Sequence, residues 1–507
     1  MPHGKVRLLV SLCSMLLIAG CEKQSSTTAT LQTPLHEDNC RAADDDWYFP
    51  IVKGQQCGVI AVRENPADNN SRMIDLHVLR LPAVTLRAAA DPLMIISGGP
   101  GQSAIKLAKD FPWLFADVRK QRDLIFVDQR GTGKSSPLEC ELGETPDNHL
   151  SSEQQHQQFL DQLQQCAESH AAVAPYYVTA FAIDDMEVVR QTLGYEKLNL
   201  WGVSYGTRVA LSYLRAYPQQ VRSVILDGVA PAGMDLSKSW LVDNQRALAL
   251  IAEQCHGHEA CQQRYGDIQN HYQALLERLA GSAVTVDVNH PRTAHSTSLQ
   301  IDPVKLEGLV RMSMYSRDLA RLLPFFIHEA IEQRYQPLAG ALLVMNDQDF
   351  TGISYGMHYT VLCNEDYQAP EAGQEVNSSI RFMGQACAFW PKAELPDSYY
   401  QPVVSDVPVL ILSGDRDPVT PPRWGESVKE NLSQSRHIVV PGGHHFVSGE
   451  GCVRQLMTLF IQSASVQDMD TTCVNNIAPF QPYLSIAPAA NEPVIMPAAM
   501  EASHDKH

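Results

Sequence analysis

The stretch from Lys197 to Arg208, KLNLWGVSYGTR, constrains this chain more than any other. Leu198, Leu200 and Trp201 form an apolar run of the length of a buried strand. Val209, Ala210, Leu211 and Leu214 continue beyond it at helical spacing. Between the two lies Gly202-Val203-Ser204-Tyr205-Gly206. A serine on so tight a strand-to-helix turn is pushed clear of the sheet. Glycines are required on either side, where a Cβ would strike the neighbouring strand or helix. The helix that starts there aims its first N–H groups at the place where negative charge develops in acyl transfer. A bare G-x-S-x-G arises by chance in about one chain of this length in ten. Set between a strand and a helix, it predicts a nucleophile at Ser204 and a backbone N–H donor at Tyr205.

The surrounding pattern supplies a sheet for that turn. Leu93 to Ile96 and Leu124 to Val127 are short buried runs, followed by SGGPGQS and DQRGTGKS. Val221 to Leu226 is another, ending at Asp227-Gly228. Such runs alternating with helical segments predict an α/β fold with a mostly parallel, doubly wound sheet. From 233 to 400 the pattern turns mainly helical, as in Trp240 to Cys255, Ile268 to Leu279, Pro303 to Met314 and Arg317 to Arg334. This predicts a cap inserted between a first core part, 46–232, and a second, 401–477. Residues 478–507, rich in Pro and Ala, read as an extended tail. Gly133-Lys134-Ser135 ends like a phosphate-binding loop, but the glycine needed five residues earlier is Asp128, so no nucleotide site is predicted. No cofactor and no metal are expected.

A serine nucleophile needs a base to take its proton and a carboxylate to orient that base. Two later strand ends carry such groups. Val407 to Leu412 runs into Asp415 and Asp417, and His437 to Val440 runs into His444 and His445. A parallel sheet brings all these turns to one edge. Asp417 precedes Pro418, which favours an extended, outward-turning residue, so Asp417 is read as the acid and Asp415 as a loop carboxylate. His445 is read as the base and His444 as a solvated neighbour. The second oxyanion donor is expected from Gly98-Gly99-Pro100-Gly101, with Gly99 first and Gly101 next.

The N-terminus and the cysteines suggest export. Lys5 and Arg7 precede an apolar run, Leu8 to Ala19, too short to cross a bilayer. Leu17-Ile18-Ala19-Gly20-Cys21 resembles a bacterial lipobox, so 1–21 is expected to be a lipoprotein signal with Cys21 as the acylated residue. Residues 22–45 are expected to be a flexible tether, and Glu22, where an Asp would favour inner-membrane retention, points to the outer membrane. Ten further cysteines, an even number in an exported chain, imply disulfides. Pairing in chain order closes short loops: Cys40–Cys57, Cys140–Cys166, Cys255–Cys261, Cys363–Cys387 and Cys452–Cys473. The histidines between Cys255 and Cys261 could suggest a metal, but a disulfide suits this compartment better. A formal net charge of −18 argues against a nucleic-acid partner.

Taken together, GGPGQS (98–103), DQRGTGKS (128–135), GVSYGTR (202–208), LDGVAP (226–231), GDRDPVTPP (414–422) and GHHFVS (443–448) resemble the proline iminopeptidase and tripeptidyl aminopeptidase branch of the α/β-hydrolases. CGVIAVRENP near the start is similar to exported members with a TAP-like C-terminal region. The resemblance covers about residues 50 to 475. It implies the α/β-hydrolase fold with a helical cap, and release of residues from peptide N-termini. The family's Gly-His-Gly-Val-Ser ending aligns with His445 and supports it as the base. Ser97 stands where many proline iminopeptidases have His, which favours the broader exported branch. An aminopeptidase must also hold a protonated N-terminus. Cys363-Asn364-Glu365-Asp366 resembles a cap motif of this branch, which nominates Glu365, then Asp366, for that role. The expected function is thus an exported serine aminopeptidase acting on peptides. The alternative is a carboxylic ester hydrolase on the same triad; a non-catalytic lipoprotein would have no need of that triad.

Overall fold

A computed structural model describes residues 30–41, 52–142, 150–347, 352–371, 376–477 and 481–484. Its centre is a nine-stranded sheet of β1 (Thr30–His36), β2 (Gln56–Arg63), β3 (Met73–Leu81), β4 (Leu93–Ile96), β5 (Leu124–Val127), β6 (Leu198–Val203), β7 (Val221–Asp227), β10 (Val409–Gly414) and β11 (Ser435–Val440). The spatial order is β1-β2-β3-β5-β4-β6-β7-β10-β11. The first three pairings are antiparallel, and all those from β5 onward are parallel. Strands β4, β5, β6 and β10 are buried along their whole length, as unbroken apolar runs covered on both faces must be. Successive residues serve opposite faces. Leu200, Val224 and Ile411 pack on one side with Val209 and Leu214; Trp201, Ile225 and Leu412 pack on the other with Phe115 and Phe460. The register sets Ile96 beside Gly202, Val203 beside Asp227, and Gly414 beside Val440. The turns after these strands therefore open at one edge.

The cap has its own apolar core, built on helices such as Leu236–Gly257, Ile268–Gly281 and Leu323–Ile331. It includes a hairpin of β8 (Val284–Asn289) and β9 (Ser296–Ile301). The helix expected over Arg317 to Arg334 is broken into Arg317–Ala320 and Leu323–Ile331, because Pro324 fits only in a first helical turn.

Three boundaries differ from expectation. Part of the tether read over 22–45 is folded instead: Thr30–His36 pairs with β2 and Cys40 is bonded to Cys57. This strand lies at the sheet's edge, where Pro34 needs no ladder partner, and Leu35 packs against the core. Cys21 lies outside the described residues. The cap also reaches beyond 233–400. Helix Ser152–His170 buries Leu160, Leu163 and Cys166 against Tyr359, Met383 and Trp390, and Ser152 donates from N and Oγ to Asp302. In the tail, Tyr483 N–H donates to the Arg321 carbonyl (3.0 Å), and Leu484 packs on the cap core. Polar stretches hid these elements, since their few apolar residues are spread thinly among polar ones.

All five disulfides join in chain order, including Cys255–Cys261. Among the described residues no helix is long and apolar enough to cross a membrane.

Candidate active site

Ser204 caps the helix Tyr205–Ala216 with φ 55° and ψ −125°, a backbone conformation that a non-glycine residue holds only where its surroundings enforce it. The turn is too close-packed for side chains on either side of it. A Cβ on Gly202 would lie 2.3 Å from the Gly206 carbonyl oxygen, and one on Gly206 would lie 2.4 Å from that of Ile96. Ser204 N–H donates to the Asp227 carbonyl (2.9 Å), tying the turn to β7. The first N–H groups of the helix, Tyr205 included, have no partner within it. Beside the serine runs the glycine loop, where a Cβ on Gly98 would lie 3.0 Å from the Ser204 Cβ. Gly99 and Gly101 both hold positive φ, and the Gly99–Pro100 peptide is cis. Asp128 supports the loop's far end, accepting from Ser103 Oγ (2.6 Å) and Ile105 N (3.1 Å). Burial pushes the Asp128 carboxyl up to about 6.

Asp417 is fully buried. Its Oδ1 accepts from Val419 N and Thr420 N (both 2.8 Å), and its Oδ2 accepts from Thr420 Oγ1 (2.8 Å) and faces His445 Nδ1 (2.8 Å). Burial alone would raise the carboxyl; the imidazole and the donors outweigh it and hold Asp417 below the usual range. For His445 the balance is reversed in kind. Burial opposes the charged ring, yet Asp417 prevails and raises it above 6.5. With Nδ1–H given to Asp417, Nε2 is the nitrogen left to accept a proton. Thr420 Oγ1 lies 3.1 Å from His445 Nδ1 and so braces both groups. Asp415 faces Arg416 instead, at 4.0 Å, and burial raises its carboxyl.

His444 is not the solvated neighbour that the sequence suggested. It is buried, and its Nδ1–H donates to the Met314 carbonyl at the end of the cap helix Pro303–Ser313 (2.7 Å). Burial lowers it to about 4, so it is neutral at ordinary pH. Next to it, the Tyr315 ring packs edge-on against His445 at 5.2 Å.

The loop carrying His445 hangs from Asp227, which accepts from Val447 N (3.1 Å), Ser448 N (2.7 Å) and Ser448 Oγ (2.6 Å). Trp201 Nε1–H donates to the same hydroxyl (3.0 Å). Asp227→Asn would turn an amide N–H toward one of three donors. It is expected to cost about 2–4 kcal/mol in urea unfolding and to lower kcat through a displaced His445.

Ser204, Tyr205, Gly99 and His445 line one cavity of about 1370 Å³ between the sheet edge and the cap. Arg208, one helical turn after the serine, lines it too. The buried Arg208 guanidinium pairs with Asp366 and lies 3.6 Å from Glu365. Both acids sit on a single π-helical turn, Leu362–Asp366, which the Cys363–Cys387 bond clips to the helix Ser378–Phe389. Asp366 faces the cavity, whereas Glu365 is not among its lining residues. Glu365 accepts instead from Thr179 N and Oγ1 (both 2.7 Å) and from the Tyr399 hydroxyl, and Tyr205 OH meets Thr179 Oγ1 at 2.7 Å. Thr179 is the first residue of the helix Thr179–Thr192 and spends its side chain on this network.

Arg208, Thr420 and Asp227 escaped the sequence reading. The signals were present: Arg208 follows Ser204 by four residues on an N-terminal helix turn, and Thr420 follows Asp417 by three.

A family model described as alpha/beta hydrolase fold matches residues 91–451. The serine protease Hip1 of Mycobacterium tuberculosis is 24% identical over 516 aligned residues, covering 90% of this chain and 95% of that protein. The tripeptidyl aminopeptidase of Streptomyces coelicolor is 29% identical over 223 residues, 41% of this chain and 40% of that protein. Among solved structures, the proline iminopeptidase of Mycobacterium smegmatis aligns with a TM-score of 0.37 and 16% identity, covering 77% of this chain and 95% of that one.

Proposed function

The chain belongs to the alpha/beta hydrolase family, and on that premise we propose that it is an exported serine aminopeptidase. Ser204 Oγ attacks the scissile carbonyl carbon while its proton passes to His445 Nε2. Asp417 fixes the imidazole and stabilises its charged form. The N–H groups of Tyr205 and Gly99 receive the oxyanion. His445 then gives its proton to the leaving amine, and water attacks the acyl-enzyme by the same route in reverse. This chemistry needs no cofactor.

One observation carries the choice of a peptide amine over a plain ester. Two carboxyl groups, Asp366 in the wall of the serine's cavity and Glu365 behind it, share one guanidinium, Arg208. The cluster is formally one negative charge in excess. A buried excess charge is costly unless a ligand cancels it, and a protonated N-terminus does so. Asp366, which faces the cavity, is the direct partner in this reading, and Glu365 holds the turn behind it. The names of the relatives, a serine protease and a tripeptidyl aminopeptidase, favour the same class.

Export fits the five disulfides, which persist in oxidising compartments. Acylation of Cys21 would hold the fold on the periplasmic side of a membrane, with the outer membrane favoured by Glu22. The chain from Cys21 to Thr30 then reaches at most about 30 Å, so the enzyme would work close to the lipid surface.

The test compares Ala-Ala-Pro-p-nitroanilide, its N-acetylated form, Ala- and Pro-p-nitroanilide, and p-nitrophenyl butyrate. Cleavage of free-amine anilides, lost on acetylation and in Ser204→Ala, is the expected result. Ester cleavage with every anilide inert would replace this reading with that of a carboxylic ester hydrolase.

A further inference from the structure

We propose that His358, a cap residue, is a positioning residue for the oxyanion hole. The inference rests on the reading of Ser204 and the glycine loop as acyl-transfer machinery, but not on the choice of peptide over ester.

The loop 98–102 is poorly held by its own bonds. Gly99 and Gly101 both sit at positive φ, where glycine rotates freely between wells. Within the loop, Gln102 N–H reaches the Gly98 carbonyl only at 3.4 Å, and Ser97 Oγ donates to the Gln102 carbonyl at 2.6 Å. Neither bond fixes the peptide planes between Gly99 and Gly101. Yet an oxyanion donor is useful only if its N–H already points at the site before charge develops there.

The cap supplies what the loop lacks. His358 Nδ1 lies 3.0 Å from the Pro100 carbonyl oxygen, which can only accept, so the ring donates from Nδ1. Ser354 N–H donates to the Gly101 carbonyl (3.0 Å), and Ile353 forms an antiparallel bridge with Gln102. Three successive residues of the loop are thus gripped by residues 353–358. A Cβ at Gly101 would come 2.9 Å from the Ser354 carbonyl oxygen, so the fit is close. The gripping segment is itself anchored on the core. Gly356 N–H donates to the Leu138 carbonyl (2.9 Å), and Ser354 Oγ donates to Glu139 Oε1 (2.7 Å). A Cβ on Gly356 would lie 2.4 Å from that Leu138 oxygen. Burial disfavours the charged form of the His358 ring, and its Nδ1–H goes to the Pro100 carbonyl. By holding the Pro100 carbonyl, His358 fixes the Pro100–Gly101 peptide plane, and through the rigid Pro100 ring it limits how far Gly99 can turn its own N–H away from the site.

The experiment pairs two neutral amide variants of the full chain. Asn places an amide N–H where the histidine had Nδ1; Gln places its amide at the Nε2 position and leaves Pro100 without a donor. We expect His358→Gln to lower kcat about ten- to a hundredfold with KM changed by less than about threefold, and His358→Asn to stay within about threefold of wild type. Affinity for a peptide boronic acid, which forms a tetrahedral adduct on Ser204, should fall in His358→Gln by the same factor as kcat. Melting temperatures of both variants check that each is folded. The proposal is overturned if the two variants have equal kcat, or if the loss appears in KM alone. Both p-nitrophenyl butyrate and Ala-Ala-Pro-p-nitroanilide are used. Should the wild type cleave only the ester, the aminopeptidase reading falls, and the Asn–Gln comparison is still read on the ester.

Discussion

Asp417→Asn is expected to lower kcat about ten-thousandfold while leaving KM nearly unchanged. The carboxylate accepts from the Val419 and Thr420 backbone and from the Thr420 hydroxyl, and its Oδ2 holds His445 Nδ1–H. An amide there keeps the size but offers N–H to groups that already donate. The imidazole must then place its proton on Nε2, the nitrogen needed to receive the serine's proton. The pH profile should change in a defined direction. Burial pushes the His445 ring down, and Asp417 pushes it up by more, for a net rise above 6.5. Catalysis needs the neutral ring, so wild-type kcat should climb with pH through a raised value. Without the charge at 417 burial is opposed only by the smaller pull of Asp227, and the residual activity should climb at lower pH. A profile of kcat against pH for both enzymes checks this. An acidic limb that stays in place, or moves upward, would remove Asp417 from the role of orienting His445.

Much of this arrangement could be read before any coordinates. The buried runs at 93–96, 124–127, 198–203 and 409–414 are unbroken because both faces of a parallel sheet are covered, and such runs announce themselves. Turns that follow them must share an edge, which is why Ser204, Asp417 and His445 could be named together. What stayed hidden was set by contacts between distant segments. Nothing local distinguishes His444 as a buried clasp on Met314 from a surface histidine. The helix Ser152–His170 joins the cap through a sparse stripe of Leu160, Leu163 and Cys166 amid glutamines, and its partners lie some 200 residues later. The order of preference between Glu365 and Asp366 likewise depends on side-chain direction, and adjacent residues on a π-helical turn point different ways. Arg208, which decides the charge of that turn, lies on a different element altogether.

Asp366→Asn is expected to raise KM for Ala-Ala-Pro-p-nitroanilide about a hundredfold, about 2.7 kcal/mol, with kcat within about threefold of wild type. p-Nitrophenyl butyrate carries no ammonium, so on it the variant should match wild type. The effect follows from charge. With Arg208 and both acids present the cluster is formally one negative in excess; with Asn at 366 it is neutral, and an incoming ammonium finds no counter-charge. Arg208 keeps Glu365 at 3.6 Å, so the guanidinium is not abandoned and the fold should survive. Glu365→Gln should behave in the opposite way. That carboxylate accepts from Thr179 N, Thr179 Oγ1 and Tyr399, away from the cavity, so its loss should lower stability more than it raises KM. The pH dependence adds an independent check. Burial pushes the Asp366 carboxyl up to about 6, against the pull of Arg208. Its charge is present above that pH and lost as pH falls through it, whereas a peptide ammonium, with a pKa of about 8, is lost as pH rises. The reciprocal of KM for free-amine peptides should therefore be bell-shaped, with arms near 6 and near 8, and the acidic arm should vanish in Asp366→Asn. If the variant weakens free-amine peptides and p-nitrophenyl butyrate alike, Asp366 shapes the cavity without binding the amine, and the excess charge of the cluster has another purpose.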